Sequence, residues 1–188
     1  MRKIQVLSQA VADQIAAGEV AERPSAVVKE LVENAIDAGA TQIDVEIKQG
    51  GVSYIRVTDN GCGIPADQLE TAFLRHATSK LSTIDDLEQI ATMGFRGEAL
   101  ASICAVAEVE VITKTPDSDE GTYLELIHGI PSEKEPIACA DGTTMVVKRL
   151  FANIPARMKF LKKNSSEAGY VSDLLGRIAL SRPEIAFT

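Results

Sequence analysis

Strands with one polar face are the feature that most limits the folds open to this chain. In residues 41–49, Ile43, Val45 and Ile47 alternate with polar side chains, which is the period-two pattern of a half-buried strand. Residues 107–111 alternate in the same way. A doubly wound parallel sheet, covered on both faces, would show continuous apolar runs instead. The pattern therefore predicts an α+β fold, a two-layer α/β sandwich whose mixed, mostly antiparallel sheet is covered by helices on one face.

Turn and helix signals indicate the other elements. Gly50 and Gly51 predict a two-residue hairpin turn, and residues 52–59 the returning strand. Residues 24–39 begin with proline and end with glycine, which predicts a helix. We also expect a helix over 99–106, a loop over 115–121 and the start of a further strand within 182–188. Residues 1–188 form one domain in this interpretation, the front part of a longer protein.

Composition excludes several classes of protein. No window approaches 18 uninterrupted apolar residues, so we expect no membrane span and no membrane partner. Three cysteines lie 42 and 35 residues apart without a CxxC motif, and there are two histidines. This argues against a disulfide framework and against a zinc site. We therefore expect a soluble intracellular protein, cytoplasmic and nucleoid-associated if bacterial and nuclear if eukaryotic.

The charge distribution singles out one segment. The net charge is −8, which argues against a domain wrapped in nucleic acid. Residues 148–163 nevertheless hold six basic side chains and no acid, whereas the other 172 residues carry 13 basic and 27 acidic groups. Such a segment is a candidate DNA phosphate contact, although a solvated helix face is an equally good interpretation. The candidate DNA-binding residues are Arg149, Arg157, Lys159, Lys162 and Lys163.

The polar face of the first helix is the first candidate site. Glu30, Asn34 and Asp37 lie within about 60° of one another on a helical wheel, opposite the apolar half. A carboxylate is able to polarise a water molecule, and an amide oxygen suits a hard cation such as Mg²⁺. On most amphipathic helices such a face is simply exposed to solvent, so this spacing alone is weak evidence.

A carboxylate at a strand end is more informative. The parity that turns Ile55 and Val57 inward also turns Asp59 inward, and a buried acid needs a hydrogen-bond partner. Gly61 and Gly63 follow at once, and glycines allow the backbone to approach a ligand closely. An ordinary turn would not require an inward acid.

A glycine pair before the second helix suggests a phosphate site. Gly94 and Gly97 precede the helix, whose N-terminal N–H groups and dipole favour anions. The chain contains no Gly-Lys dipeptide, which excludes a Walker-type P-loop. Backbone amides and Arg96 would then hold the phosphates.

These motifs together resemble those of a known superfamily. They follow in the order and spacing of the GHKL (Bergerat-fold) ATPases, which include gyrase, histidine kinases and chaperones. Within it, the chain from about residue 4 to 161 resembles the N-terminal ATPase domain of the MutL family of DNA mismatch-repair proteins. The segments that carry this resemblance are QIAAGEVAERPSAVVKELVENAIDAGAT, DNGCGI, RHATSK, GFRGEALASI, NIPARMKFL and the run Gly142-Thr143-Thr144.

The resemblance implies ATP and Mg²⁺ as cofactors and a role for each site residue. Glu30 would be the catalytic base that activates water, and Asn34 would bind both nucleotide and Mg²⁺. Asp59 would accept the adenine amino proton. Gly61 and Gly63 would give the purine room, and Thr143 would complete the base contact through water. The lid over the phosphates would comprise Thr78, Gly94, Phe95, Arg96, Gly97, Ala99 and Leu100.

The resemblance also implies a function in DNA mismatch repair. ATP binding would drive homodimerisation of the full-length protein through residues 1–20 and parts absent here, and hydrolysis would reverse it. This switch would couple the mismatch-recognition protein MutS to a downstream nuclease and helicase. Turnover would be slow, and impaired in this chain, because the family also uses a lysine from a second domain.

Two other interpretations remain open. One is a non-catalytic scaffold that binds DNA and repair partners and retains a vestigial nucleotide site, although the presence of Glu30 and Asn34 argues against it. The other is a different GHKL enzyme, such as a topoisomerase subunit or a protein kinase. The segments GFRGEALASI and NIPARMKFL argue against this second possibility.

Overall fold

The computed structural model describes residues 5–6, 21–77 and 97–188. The helices are α1 (Pro24–Asp37), α2 (Ala99–Val106), α3 (Pro155–Met158) and α4 (Asn164–Ser181), with short 3-10 turns at Gln49–Gly51 and Thr71–Phe73. The strands are β1 (Gln42–Lys48), β2 (Tyr54–Asp59), β3 (Glu108–Lys114), β4 (Gly121–Ile127), β5 (Ile130–Pro131), β6 (Glu135–Ile137), β7 (Gly142–Lys148) and β8 (Ala186–Phe187).

These strands form one sheet in the order β5-β4-β3-β7-β2-β1-β8, with β6 paired to β4. Every pairing is antiparallel except β1 with β8, which is parallel. The long strands at the centre, β2, β7 and β3, come from distant parts of the sequence. Their register places Asp59 opposite Thr143, and Thr143 opposite Thr113.

Helices cover one face of the sheet. Alternate residues of the central strands, such as Ile55, Val109 and Val147, are at most 2% exposed and pack into one core with the apolar side of α1. The opposite face carries polar and charged side chains, including the ion pairs Arg56–Glu46 at 3.0 Å and Lys148–Glu110. The predicted two-layer sandwich with a mostly antiparallel sheet is confirmed.

The hairpin turn predicted at Gly50 and Gly51 is wrong in its length. β1 ends at Lys48 and its pairing partner is Tyr54, so the connection has five residues and includes a 3-10 turn. Both glycines are buried and have positive φ, 70° and 89°. A Cβ on Gly50 would lie 2.6 Å from the carbonyl oxygen of Asn164, and one on Gly51 would lie 2.7 Å from Cβ of Pro24. The glycines are therefore required because the connection packs tightly beneath α1 and α4.

The other predicted elements agree with the structure. The first helix ends at Asp37, and Gly39 follows with φ 75°, the left-handed conformation that stops a helix. The second helix, the loop before Gly121 and the strand near the end of the chain are all present. Within the described ranges, no helix has the length and apolar character needed to cross a membrane.

Candidate nucleotide site

The polar face of α1 carries the first two candidate residues. Glu30 is half-buried, with 23% of its side chain exposed, and Asn34 follows it by one turn. Lys29 Nζ lies 3.6 Å from Glu30 Oε1 and 2.9 Å from Glu33 Oε1. Burial lowers the pKa of Lys29. The hydrogen bond and charge of Glu33 and the charge of Glu30 raise the pKa by more than burial lowers it, so it lies above its ordinary value. Lys29 therefore links the proposed base to a second carboxylate.

Glu33 is a residue that the sequence analysis missed. It lies on α1 and is only 7% exposed. The sequence contained one signal for this residue, its i, i+4 spacing from Lys29. Such a pair gives a buried carboxylate a charged hydrogen-bond partner.

The Asp59 carboxylate lies at the end of β2, half-buried on the covered face. It accepts a hydrogen bond of 2.8 Å from the Gly61 N–H and another from the backbone of Thr143. Burial raises the pKa of Asp59 above its ordinary value of 3.8, and these two hydrogen bonds oppose that rise. An inward acid with a raised pKa at the rim of a core is typical of a binding site rather than of a turn.

The loop after Asp59 is fastened to the end of α1. The Cys62 N–H donates to the Ala38 carbonyl at 2.9 Å. Asn60 Oδ1 accepts from the N–H groups of Thr41 and Gln42 at 2.8 and 2.9 Å. These bonds hold the end of β2 beside the end of the helix that carries Glu30 and Asn34.

Two glycines permit this close approach. Gly61 is buried, and a Cβ there would lie 2.8 Å from the Ala38 carbonyl oxygen and 2.9 Å from Asp59 Oδ1. Gly63 has φ 70°, and a Cβ there would overlap the Lys114 carbonyl. The glycines are therefore needed for the protein's own packing. Their predicted contribution to purine binding stays a prediction.

Thr143 is 9% exposed and lies between Asp59 and Thr113 in the register of the sheet. Thr113 was not predicted as a site residue. It is 1% exposed, and its hydroxyl contacts the Thr143 hydroxyl at 3.1 Å. The signal in the sequence was a polar side chain at the inward position after Val109 and Val111.

The structure describes part of the predicted phosphate segment. Gly97 has φ 61°, and a Cβ there would lie 2.5 Å from the Ala77 carbonyl oxygen. Ala99 and Leu100 are half-buried and form the first turn of α2. The remaining predicted residues, Thr78, Gly94, Phe95 and Arg96, lie outside the described residues, as do residues 1–4 and 7–20 of the predicted dimer arm.

The donor set on α1 suits a nucleotide with Mg²⁺. No group of three His, Cys, Asp or Glu side chains able to hold a metal occurs among the described residues. A cation at Asn34 would therefore take most of its ligands from phosphates, which is the usual arrangement for Mg²⁺. The residues present fit this arrangement, with an amide oxygen one turn from a half-buried carboxylate.

The predicted DNA-binding residues lie away from Asp59. Backbone hydrogen bonds from Arg149 and Leu150 to the Ser53 and Val52 carbonyls place the start of the basic segment at the opposite end of β2. Six residues of strand correspond to roughly 17 Å. Acids of β3 pair with the first two cations, Glu110 with Lys148 and Glu108 with Arg149, the latter at 2.9 Å.

The cations after residue 156 form the more exposed part of the segment. Lys159, Lys162 and Lys163 are exposed, and Arg157 is half-buried. Phe160 lies among them with 77% of its surface exposed.

Comparison with known proteins agrees with this geometry. The family described as "Histidine kinase-, DNA gyrase B-, and HSP90-like ATPase" matches residues 22–140. The chain belongs to this family. The predicted GHKL ATPase domain is thereby confirmed. Asp59, the loop that contains Gly61 and Gly63, and most of the sheet lie within the matched range.

The relatives of this ATPase-family chain include bacterial mismatch-repair proteins. It is 56% identical over 187 residues to the DNA mismatch repair protein MutL of Agathobacter rectalis, covering 100% of this chain and 29% of that protein. It is 51% identical over 185 residues to MutL of Thiobacillus denitrificans, covering 98% of this chain and 31% of that protein. The chain thus spans about three tenths of these relatives.

Solved structures give the same result. The MutL ATPase domain of Aquifex aeolicus complexed with ADP has a TM-score of 0.72 and 35% identity, over 90% of this chain and 60% of that one. The N-terminal domain of a DNA repair protein has a TM-score of 0.79 and 34% identity, over 94% of this chain and 50% of that one. The predicted resemblance to MutL ATPase domains is confirmed.

Proposed function

We propose that residues 1–188 are the N-terminal ATP-binding and ATP-hydrolysing domain of a DNA mismatch-repair protein of the MutL type. The observation that carries the proposal is the half-buried Asp59 carboxylate, held by the N–H of Gly61 in a loop that is bonded to the end of α1. An acceptor in this position suits the adenine amino group. A guanine carbonyl would face the same carboxylate and be rejected.

The site residues divide the reaction among them. Glu30 would orient and deprotonate the attacking water, and Asn34 would hold Mg²⁺ and nucleotide. Asp59 and Thr143 recognise the base, with room provided by Gly61 and Gly63. Bound Mg²⁺ would supply charge neutralisation at the phosphates. The N-terminus of α2, with Gly97, Ala99 and Leu100, would contact the phosphates, and the resemblance implies the same for Thr78, Gly94, Phe95 and Arg96.

The larger role is that of a switch in a longer, cytoplasmic protein. ATP binding favours a homodimer and hydrolysis releases it, which relays mismatch detection by a MutS-type protein to a nuclease and helicase. Slow turnover suits a switch because the bound state is the signal. We expect residues 1–188 by themselves to bind nucleotide better than they hydrolyse it, since they span about three tenths of their relatives and the family also uses a lysine from a second domain.

Substitution of Glu30 tests the catalytic assignment. We expect Glu30→Ala to retain ATP affinity but to reduce single-turnover hydrolysis by at least about 100-fold, the scale of a general base. Calorimetry gives the affinity, and quenched-flow assays with excess protein give the rate. Glu184→Ala, which removes a carboxylate 61% exposed, is the control and leaves both unchanged. Equal hydrolysis by Glu30→Ala and the wild type would contradict the assignment and favour the scaffold interpretation.

The basic surface of residues 157–163 forms the DNA contact in this proposal. It consists of Arg157, Lys159, Lys162 and Lys163. Arg149 lies at its edge and forms an ion pair with Glu108. A polyanion complements this surface, whereas the chain as a whole is acidic and would repel it.

Charge reversal tests the DNA contact. We expect Arg157→Glu with Lys159→Glu to weaken DNA binding at least about tenfold, and to reduce the slope of log affinity against log salt by about 0.9 per lost phosphate contact. Fluorescence anisotropy at several salt concentrations measures both quantities. Lys134→Glu with Arg182→Glu makes the same change in net charge away from this surface, since Arg182 follows the far end of α4. An equal loss in that control would show a non-specific charge effect and contradict the proposed surface.

A further inference from the structure

The hydroxyl of Thr113 lies behind the proposed base-binding pair. Thr113, Thr143 and Asp59 are direct cross-strand partners on β3, β7 and β2, so their side chains lie in one row on the covered face. Thr113 is 1% exposed and Thr143 is 9% exposed. Thr113 lies at the buried end of this row, on the strand next to that of Thr143.

Three polar groups surround the Thr113 hydroxyl oxygen. The Ile64 N–H donates to it at 2.8 Å, the Gly142 carbonyl oxygen lies 3.1 Å away, and the Thr143 hydroxyl oxygen also lies 3.1 Å away. A hydroxyl group has one proton to donate and two lone pairs that accept. Three partners therefore use its whole capacity.

Either hydroxyl is able to donate in the bond between Thr113 and Thr143, and the chemistry of the other two partners favours one direction. An N–H group only donates, so Ile64 occupies one lone pair of Thr113. A carbonyl only accepts, so Gly142 takes the proton of Thr113. With its proton on Gly142, Thr113 accepts from Thr143 through its remaining lone pair, and the Thr143 proton is then directed toward Thr113 and away from Asp59.

We propose that Thr113 is a specificity-determining residue that turns the Thr143 proton inward, so that Thr143 and Asp59 both present acceptors to the purine. This inference rests on the proposed adenine-nucleotide site. Two adjacent acceptors match the 6-amino group of adenine and a water that donates to its N1 nitrogen. A 6-oxopurine offers a carbonyl and an N1–H instead, and its carbonyl meets acceptors at both positions.

Thr113 also connects the base site to the glycine loop. Its bond to Ile64 fixes the residue that follows Gly63, and the Gly63 backbone packs against the Lys114 carbonyl. Thr113 acts through Thr143 and this loop. It is therefore a positioning residue, and its test needs a readout that loss of packing alone would not change.

The experiment compares ADP with inosine diphosphate (IDP), which differs from ADP only at the purine 6-position and N1. Affinities of the 188-residue chain for both are measured by calorimetry. The wild type prefers ADP. In Thr113→Val, which keeps the shape and removes the hydroxyl, the Thr143 proton is free to turn toward a 6-oxo group. We expect the ADP to IDP affinity ratio to fall about fivefold to tenfold, the scale of one hydrogen bond.

Two matched variants serve as controls. Thr113→Ser keeps the hydroxyl and retains the wild-type ratio. Thr144→Val removes a hydroxyl from the adjacent residue of β7, which bonds Thr58 at 3.1 Å on the open face, and also retains the ratio. If Thr113→Val does not fold, Thr113→Cys replaces it, and we expect a smaller fall in the ratio because sulfur is a weak hydrogen-bond partner.

The possible outcomes separate this inference from the proposed function. Equal weakening of ADP and IDP in Thr113→Val, with the ratio unchanged, would show a purely structural role and overturn the inference alone. A ratio near one in the wild type would also overturn it, because no discrimination would exist to be set. Absence of ADP binding by the wild type would overturn the proposed function, and this inference with it.

Discussion

The Asp59 carboxyl group shows how one residue is placed at a cost to stability. Burial raises its pKa from 3.8, while the N–H groups of Gly61 and Thr143 oppose the rise. A carboxyl whose pKa is raised by folding binds its proton more tightly in the folded chain. Its stabilising contribution is complete below pH 3.8 and is lost as the pH rises through the folded-state pKa. At neutral pH the ionised Asp59 carboxylate therefore reduces the stability of the fold. The proposed role of this carboxylate, to accept a hydrogen bond from the nucleotide base, would account for that cost.

We expect Asp59→Asn to be more stable than the wild type at pH 7, by about 1 kcal/mol, while nucleotide binding is lost. The amide keeps one acceptor oxygen for Gly61 but carries no charge into the core. Urea unfolding at several pH values measures the difference, which shrinks as the pH falls toward 4. A difference in the free energy of unfolding that stays constant with pH would contradict the burial argument.

The connection between β1 and β2, residues 49–53, is the clearest case at the scale of elements. Its backbone lies against the start of α4, where Glu167 is fully buried and accepts a 2.9 Å hydrogen bond from the Lys162 N–H. On the other side it meets Pro24 at the start of α1. Arg23 lies over the Tyr170 ring at 4.6 Å and joins the two helices further. This connection and the two helices therefore form one packed unit.

Two glycine substitutions should have opposite effects on stability. Gly50→Ala places a Cβ against the Asn164 carbonyl in a left-handed conformation, and we expect a loss of at least about 2 kcal/mol. Gly176→Ala lies in α4 with nothing within 4 Å, and we expect a gain of about 0.5–1 kcal/mol from helix propensity. Thermal unfolding measures both. A neutral Gly50→Ala would show that the connection is less tightly packed than the structure indicates.

At the scale of the whole molecule, the sheet brings distant parts of the sequence to one site. β2, β7 and β3 are neighbours although their sequence positions lie far apart, and their covered face carries the row from Asp59 to Thr113. The core beneath this row also packs α1, which bears Glu30 and Asn34. Ligand binding at the row should therefore stabilise the entire fold.

We expect ADP at about 100 times its dissociation constant to raise the free energy of unfolding by about 2.7 kcal/mol. For a domain of this size that corresponds to roughly 5–10 °C in Tm. Differential scanning fluorimetry measures the shift. Asp59→Ala should lose it, whereas Asp44→Ala, on β1 with Asp44 bonded to the Gln42 side chain, should keep it. A full shift in Asp59→Ala would place the ligand elsewhere.

Local patterns were sufficient for much of this protein. Period-two alternation predicted β1, β2 and β3, and proline and glycine predicted the bounds of α1, because these signals depend on the residue itself and its near neighbours. The inward position of Asp59 followed from the parity of its own strand. The family resemblance added predicted roles for Glu30 and Asn34, which stay predictions.

The sequence by itself determined which positions face the core, since alternation and helical spacing act along one segment. The tertiary structure decided which group meets each of those positions. The bonds of Thr113 to Ile64 and Thr143 span 49 and 30 residues, and the pairing of Arg149 with Glu108 spans 41. The packing of the connection between β1 and β2 likewise involves a distant residue, Asn164. Such partners are brought together only when the strands pair and the helices pack, which no local pattern specifies.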